Sequence, residues 1–259
     1  MLWEYPLLAG AGLLAGFIDA IAGGGGLITL PALLWAGLPP QLALGTNKLQ
    51  SSCGTSLATW RYAQAGLLRA PCLKLGAGVT AGAAISGSLA VSQLAPEFLR
   101  WVIPFLLIAI GVYFAVKPQL GIEPRPPRLK ATHFAIGFGV VLGFYDGFFG
   151  PGTGSFWMTA CVTLLGMEFR SATGYTKAMN LASNLGSLLV FGWLGHLHLG
   201  FGLVMAVGQL VGAQLGARLV IRQGARFVRP LLIVIVFLLA SRLLWQVLSP
   251  ILVEQKSLL

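Results

Sequence analysis

Ten apolar runs divide the chain. They fall roughly at 5–22, 27–38, 42–65, 72–94 and 98–116, then at 132–149, 154–166, 171–193, 200–221 and 227–248. A helix needs about 20 apolar residues to cross the hydrocarbon core of a bilayer. The last three runs of each group of five are long enough. The second run of each group is too short to cross alone, so the first two are predicted to form a helical hairpin. Its tip is glycine-rich in both groups: Gly23, Gly24, Gly25 and Gly26 in the first, and Gly150, Pro151, Gly152, Thr153 and Gly154 in the second. The pattern predicts an all-α polytopic membrane protein with eight to ten membrane segments.

The two groups are copies of one unit. Shifting the chain by 127 residues lays Gly16, Phe17 and Asp19 on Gly143, Phe144 and Asp146, and Gly23 and Gly25 on Gly150 and Gly152. After a two-residue insertion, a shift of 129 lays Gly37, Gly45, Lys48, Gly66 and Gly87 on Gly166, Gly174, Lys177, Gly195 and Gly216. Phe98 and Arg100 likewise meet Phe227 and Arg229. A fixed period of this kind is the signature of a repeated structural unit. Residues 1–116 form the first transmembrane repeat, the Pro- and Arg-rich stretch 117–130 a cytoplasmic linker, and residues 131–259 the second repeat.

Composition agrees with a membrane solvent. Of 259 residues, 56% are hydrophobic and 9% charged, and the mean hydropathy is +0.83. Soluble domains carry about 25% charged residues, so a soluble fold of this size lacks the charge to cover its surface. Disorder, collagen and a disulfide scaffold are excluded by the same figures. Cys53, Cys72 and Cys161 form no CxxC pair, which leaves no zinc site or disulfide framework. No cofactor and no metal is expected. The opening residues MLWEY lack a basic region, so the first run reads as part of the mature fold and not as a cleaved signal.

The formal net charge is +10, from 17 Lys and Arg against seven Asp and Glu. Its distribution reads as topology. A hairpin returns to its starting side, so three further crossings give each repeat odd parity and invert the second repeat relative to the first. On that assignment twelve basic residues, including Arg61, Arg69, Lys74, Arg128, Lys130, Arg170 and Arg218, share one side, and only Arg100, Arg242 and Lys256 the other. Basic residues mark the cytoplasmic face. The termini are therefore expected on the periplasmic side, and no nucleic-acid partner is needed to account for the charge. Trp3, Trp101 and Trp245 stand near segment ends, as interfacial anchors do.

Four charges remain inside the apolar runs: Asp19, Lys48, Asp146 and Lys177. Inverted repeats with interrupted helices are a recurring plan of secondary transporters, with the site near the midplane between the halves. A short helix beginning at each glycine tip would aim free N–H groups and its positive dipole end inward, which suits an anion; the other reading of the glycines is tight helix packing. Thr46, Asn47, Lys48 and Ser51, with Ser52, form a polar stripe. Its counterpart holds Thr176, Lys177 and Asn180, with Ser183 and Asn184. Each stripe reads as an anion pathway, or each lysine, about 9 Å into its run, snorkels to the interface. Asp19 and Asp146 either fix the hairpins by pairing with a lysine or N–H groups, or carry a coupled proton. His196 and His198 lie on a short outward loop and read as solvated. Gly208, Gly212 and Gly216 mark a close helix contact, within the chain or at a homodimer seam.

The run Gly16-Phe-Ile-Asp-Ala-Ile-Ala-Gly-Gly-Gly-Gly-Leu-Ile-Thr-Leu-Pro-Ala-Leu-Leu, followed by Ala43-Leu-Gly-Thr-Asn-Lys-Leu, resembles the sulfite exporter TauE/SafE family of 4-toluene sulfonate uptake permease-like transporters. The likeness extends over nearly the whole chain, including the second Gly-Phe-x-Asp-Gly. It implies a transporter of small, sulfur-containing anions such as sulfite or sulfonates in the bacterial inner membrane, multi-pass, with the lipid bilayer as its partner.

An anion leaving a negative cytoplasm moves down the potential by about 2.3 kcal/mol per charge per 100 mV, so export needs no coupling ion. The chain has no Walker motif, which removes ATP as a driver within it. Alternating access, with the tips, Lys48 and Lys177 holding an oxyanion, is the expected mechanism. A passive anion channel shares these features. A membrane-embedded enzyme would need a catalytic constellation, and no HExxH or GxSxG is present.

Overall fold

A computed structural model describes residues 4–116 and 126–223. The tenth apolar run, most of the linker, Trp3 and Trp245 lie outside the described residues. Among those described there are nine α-helices and no strand: α1 (Glu4–Ala22), α2 (Gly26–Trp35), α3 (Pro40–Gln64), α4 (Leu73–Ser92), α5 (Pro96–Val116), α6 (Ala131–Phe148), α7 (Thr153–Leu164), α8 (Phe169–Trp193) and α9 (Leu199–Gln223).

Six of the glycines that recur along the sequence have a common cause. Gly23 and Gly150 follow the first helix of each half, Gly37 and Gly166 the second, Gly66 and Gly195 the third, and all six have positive φ. A residue with a Cβ is strained there. At three of these ends the chain closes the helix with a long reverse bond, as in Leu38 N–H to Leu33 O at 3.2 Å, Leu67 N–H to Tyr62 O at 2.9 Å and His196 N–H to Phe191 O at 2.8 Å. Such caps satisfy carbonyls that the helix leaves unpaired.

Helices α1, α4, α5 and α9 are long and apolar enough to cross a membrane. The sequence pattern also put the runs of α3 and α8 among the crossing segments by length. Both are 25 residues long, but they fall outside the apolar group because polar residues occupy one side of each. That side is buried: Thr46, Asn47, Gln50, Ser51, Ser52 and Thr55 on α3, and Thr173, Thr176, Asn180, Ser183, Asn184 and Ser187 on α8. Several hydroxyls are satisfied within their own helix, as Ser52 to Lys48 O and Thr173 to Phe169 O. Exposed apolar side chains such as Val141, Leu189 and Val207 face outward instead.

Glycine seams join the two halves. Gly12 and Gly16 on α1 meet the backbone of Met205 and Gln209 on α9, while Gly208, Gly212 and Gly216 on α9 meet the carbonyls of Ala9, Leu13 and Phe17. On α6, Gly143 and Gly147 meet the carbonyls of Thr80 and Ala84 on α4, and Gly87 on α4 meets that of Phe144. The fourth helix of each half thus lies along the first helix of the other. Without a hydrophobic force between helices in lipid, close backbone approach and van der Waals contact supply the association. The double glycine stripe of α9 is spent inside the chain, so it gives no support to a homodimer seam.

Candidate functional site

The two glycine tips touch. Gly23 and Gly154 approach so closely that a Cβ built on either would lie 2.4 or 2.5 Å from the other's Cα. Two tyrosines, Tyr62 buried and Tyr145 partly buried, hold the tips in place: Tyr62 donates to Ala20 O at 2.9 Å, and Tyr145 donates to Pro151 O at 2.7 Å. The sequence reading missed both, although each is an aromatic with a polar end inside an otherwise apolar environment, which normally finds a partner.

At the contact the four internal charges form two ion pairs that cross between halves. Lys48 on α3 donates to Asp146 on α6, at 2.7 Å to Oδ1 and 2.5 Å to the main-chain oxygen. Its Nζ is also 3.4 Å from Asn184 Oδ1. Asp146 Oδ2 accepts the hydroxyl of Ser183. Lys177 on α8 donates to Asp19 Oδ2 on α1 at 2.9 Å, and Asp19 Oδ1 accepts the Gly25 N–H at 3.3 Å. Lys48 and Lys177 are 1% and 0% exposed. They stand eight residues into α3 and α8, about 12 Å along each helix, and neither snorkels. Both are buried charges balanced by a partner, which is the condition under which burial is tolerated. Both aspartates pair with a lysine, and Asp19 also accepts an N–H group.

A cavity of about 320 Å³, including its mouth, lies beside these pairs. Of that, about 30 Å³ is open to the centre of a water-sized sphere, room for a small ion or one or two waters. It is lined by Asp19, Gly23, Gly26, Asn47, Lys48 and Ser51 from the first half, and by Asp146, Gly150, Gly152, Thr153, Gly154, Asn180 and Asn184 from the second. Most of the residues expected from sequence are therefore together. Gly24, Gly25, Thr46, Thr176 and Lys177 do not line it. Gly25 serves Asp19, Thr46 accepts the His198 N–H at 2.9 Å, and Lys177 is engaged with Asp19. Asn184 was legible only as part of the α8 stripe, one turn beyond Asn180.

Each lysine is paired with an aspartate, as one of the two readings for Asp19 and Asp146 had it. One expectation needs correction. His196 and His198 are half-buried, not solvated: His198 Nδ1 accepts the Phe201 N–H at 3.1 Å and its ring packs on Phe201. Among the described residues no three His, Cys, Asp or Glu side chains gather as metal ligands, and Cys53, Cys72 and Cys161 are free thiols.

A helical membrane protein with a buried polar cavity between its two halves is the class these features define. Residues 8–243 match the family described as Sulfite exporter TauE/SafE, and the chain belongs to that family, as a membrane transporter. It is 43% identical over 244 residues to "Probable membrane transporter protein YfcA" of Escherichia coli K12, covering 93% of this chain and 91% of that protein. It is 44% identical over 234 residues to "Probable membrane transporter protein ORF9" of Sinorhizobium sp, covering 90% of each. A "Probable membrane transporter protein" of Haemophilus influenzae is 42% identical over 240 residues, covering 90% of this chain and 92% of that protein. No solved structure matches the chain.

Proposed function

We propose that this protein is a secondary transporter of small, sulfur-containing anions in the bacterial inner membrane, built as two inverted repeats that rock about the cavity, with its termini in the periplasm. The observation that carries this reading is the cavity at the touching glycine tips, lined by Lys48, three asparagine amides and the starts of two short helices. Helix starts offer N–H groups and a positive dipole end to an anion. The sulfur chemistry rests on the family description.

The crossed ion pairs favour a carrier. Each pair ties the hairpin of one half to the third helix of the other, so relative motion of the halves must alter both. Within the pairs the roles differ. Lys48 faces the cavity and contacts the anion, while Lys177 acts as a clasp on Asp19.

Flux in proteoliposomes at a set membrane potential tests the reading, with sulfite, sulfate, thiosulfate, a small sulfonate and a carboxylate as probes. A carrier gives saturable flux with counterflow; linear, unsaturated flux would identify a channel instead. Lys48→Ala and Lys177→Ala should both impair transport, Lys48→Ala through affinity. Intact flux and anion selectivity in both variants would overturn the proposed site.

A further inference from the structure

The charges around the cavity sum to zero. Lys48 cancels Asp146, and Lys177 cancels Asp19. The lining runs from Gly23 and Gly150, just past the C-terminal ends of α1 and α6, to Gly26 and Thr153, where α2 and α7 begin. Two negative helix ends therefore offset two positive ones. An anion entering alone would leave one negative charge uncompensated in a buried place, which is costly. Both aspartates line the cavity, and they are held unequally. Asp146 is gripped at both carboxylate oxygens, by Lys48 at 2.7 Å and by the Ser183 hydroxyl, and Lys48 also reaches its main-chain oxygen. Asp19 has only Lys177 at 2.9 Å and the Gly25 N–H at 3.3 Å among the described residues. The shift of 129 that lays Lys48 on Lys177 lays Gly54, which has no hydroxyl, on Ser183. The Asp19 side chain is 13% exposed, against 5% for Asp146.

From this we infer that each anion is carried together with one proton, and that Asp19 binds the proton. The inference rests on the anion-transport reading and names the coupling ion of that site. As the anion enters, a proton from cavity water forms an O–H bond at the Asp19 carboxylate, whose ionic hold on Lys177 is thereby lost. The Lys177 charge then balances the anion, and the site is neutral again. On the other side the O–H bond breaks, proton and anion leave, and Asp19 takes Lys177 back. An inward proton gradient then drives uptake, which the membrane potential alone opposes for an anion. The protonated carboxyl is also a hydrogen-bond donor, which a carboxylate is not. Asn180 offers an acceptor in the same cavity: it is 5% exposed and its Oδ1 has no hydrogen-bond partner. The other titratable groups around Asp19 are engaged or turned away. From α3, Lys48 is held by Asp146 of α6, and the Tyr62 hydroxyl is spent on Ala20 O. Cys161 on α7 and Tyr175 on α8 lie in the apolar cluster around Trp157. Helix α2 has no titratable side chain, and α9 has none from Leu199 to Ala217.

Methanesulfonate is the probe, because it is the anion of a strong acid and brings no proton of its own. The full-length chain in proteoliposomes is given labelled methanesulfonate, with the membrane potential clamped and the medium one pH unit more acidic than the lumen. One proton per anion makes transport electroneutral. The wild type should therefore concentrate methanesulfonate about tenfold in the lumen, one pH unit being worth a factor of ten at equilibrium, and changing the clamped potential should not alter that ratio. Asp19→Asn holds no exchangeable proton, so it should lose the accumulation while some exchange of labelled for unlabelled methanesulfonate remains measurable. Wild-type accumulation that follows the potential and ignores the pH gradient overturns the coupling. The wild-type ratio kept by Asp19→Asn overturns the assignment to Asp19. If Asp19→Asn neither folds nor exchanges, the wild-type ratio decides alone. Absence of saturable methanesulfonate flux would instead remove the transport reading on which the inference stands.

Discussion

Substituting Gly16 by Ala tests whether the α1–α9 seam positions the site. A Cβ on Gly16 would lie 2.3 Å from Gln209 O, whereas ordinary contact begins at 3.4 Å. The helices must therefore separate by about 1.1 Å, the difference of those two distances. A gap of 0.5–1 Å already forfeits about a quarter to a half of each dispersion contact, and overpacking of a tight seam costs about 1–3 kcal/mol. The damage reaches the site because Asp19 lies one turn beyond Gly16 on α1. Its bond to Lys177 is 2.9 Å; a displacement of similar size along that bond stretches it past hydrogen-bonding range. Gly10→Ala is the control, since a Cβ there meets nothing within 4 Å and alanine is the better helix former by about 1 kcal/mol. Thermal unfolding of purified protein in detergent and counterflow in proteoliposomes are measured for both. Gly16→Ala should melt several degrees lower and lose transport, while Gly10→Ala keeps both. Indistinguishable behaviour of the two variants would refute the link from seam to site.

Two more outcomes follow from the same geometry. Lys48→Met alone leaves the Asp146 carboxylate buried without its cation and should cost about 3–5 kcal/mol, whereas Lys48→Met with Asp146→Leu should recover much of that stability while remaining inactive; a double-mutant cycle by thermal unfolding that shows no coupling would contradict the pair. Gly150→Ala places a Cβ at φ +95° and 3.0 Å from Lys48 Nζ, so it should abolish transport and lower the melting temperature, while Gly78→Ala, with nothing within 4 Å, should be silent in both assays.

Much of this architecture was legible in sequence because the signals are local. Helix lengths, the glycines at positive φ and the polar stripes of α3 and α8 depend on residues a few positions apart. What escaped was contact between distant segments. Asp19 and Lys48 belong to one half of the chain, and nothing in their spacing says that each pairs with a residue of the other half. The same holds for the stripe Gly208, Gly212 and Gly216, whose pattern marks close approach without naming α1 as the helix approached. Tyr62 and Tyr145 were invisible for a third reason: a tyrosine in an apolar run is common, and its role appears only when its hydroxyl finds a carbonyl at a hairpin tip.

The central claim is that a small anion is carried through the cavity beside Lys48. Its most direct test is saturable anion flux in proteoliposomes at a set membrane potential, wild type beside Lys48→Ala. The account predicts saturable flux with counterflow of at least one sulfur oxyanion in the wild type, and a severe loss of affinity for it in the variant. Wild-type levels of saturable flux in a folded Lys48→Ala protein would contradict the site, and no flux of any anion by the wild type would contradict the function.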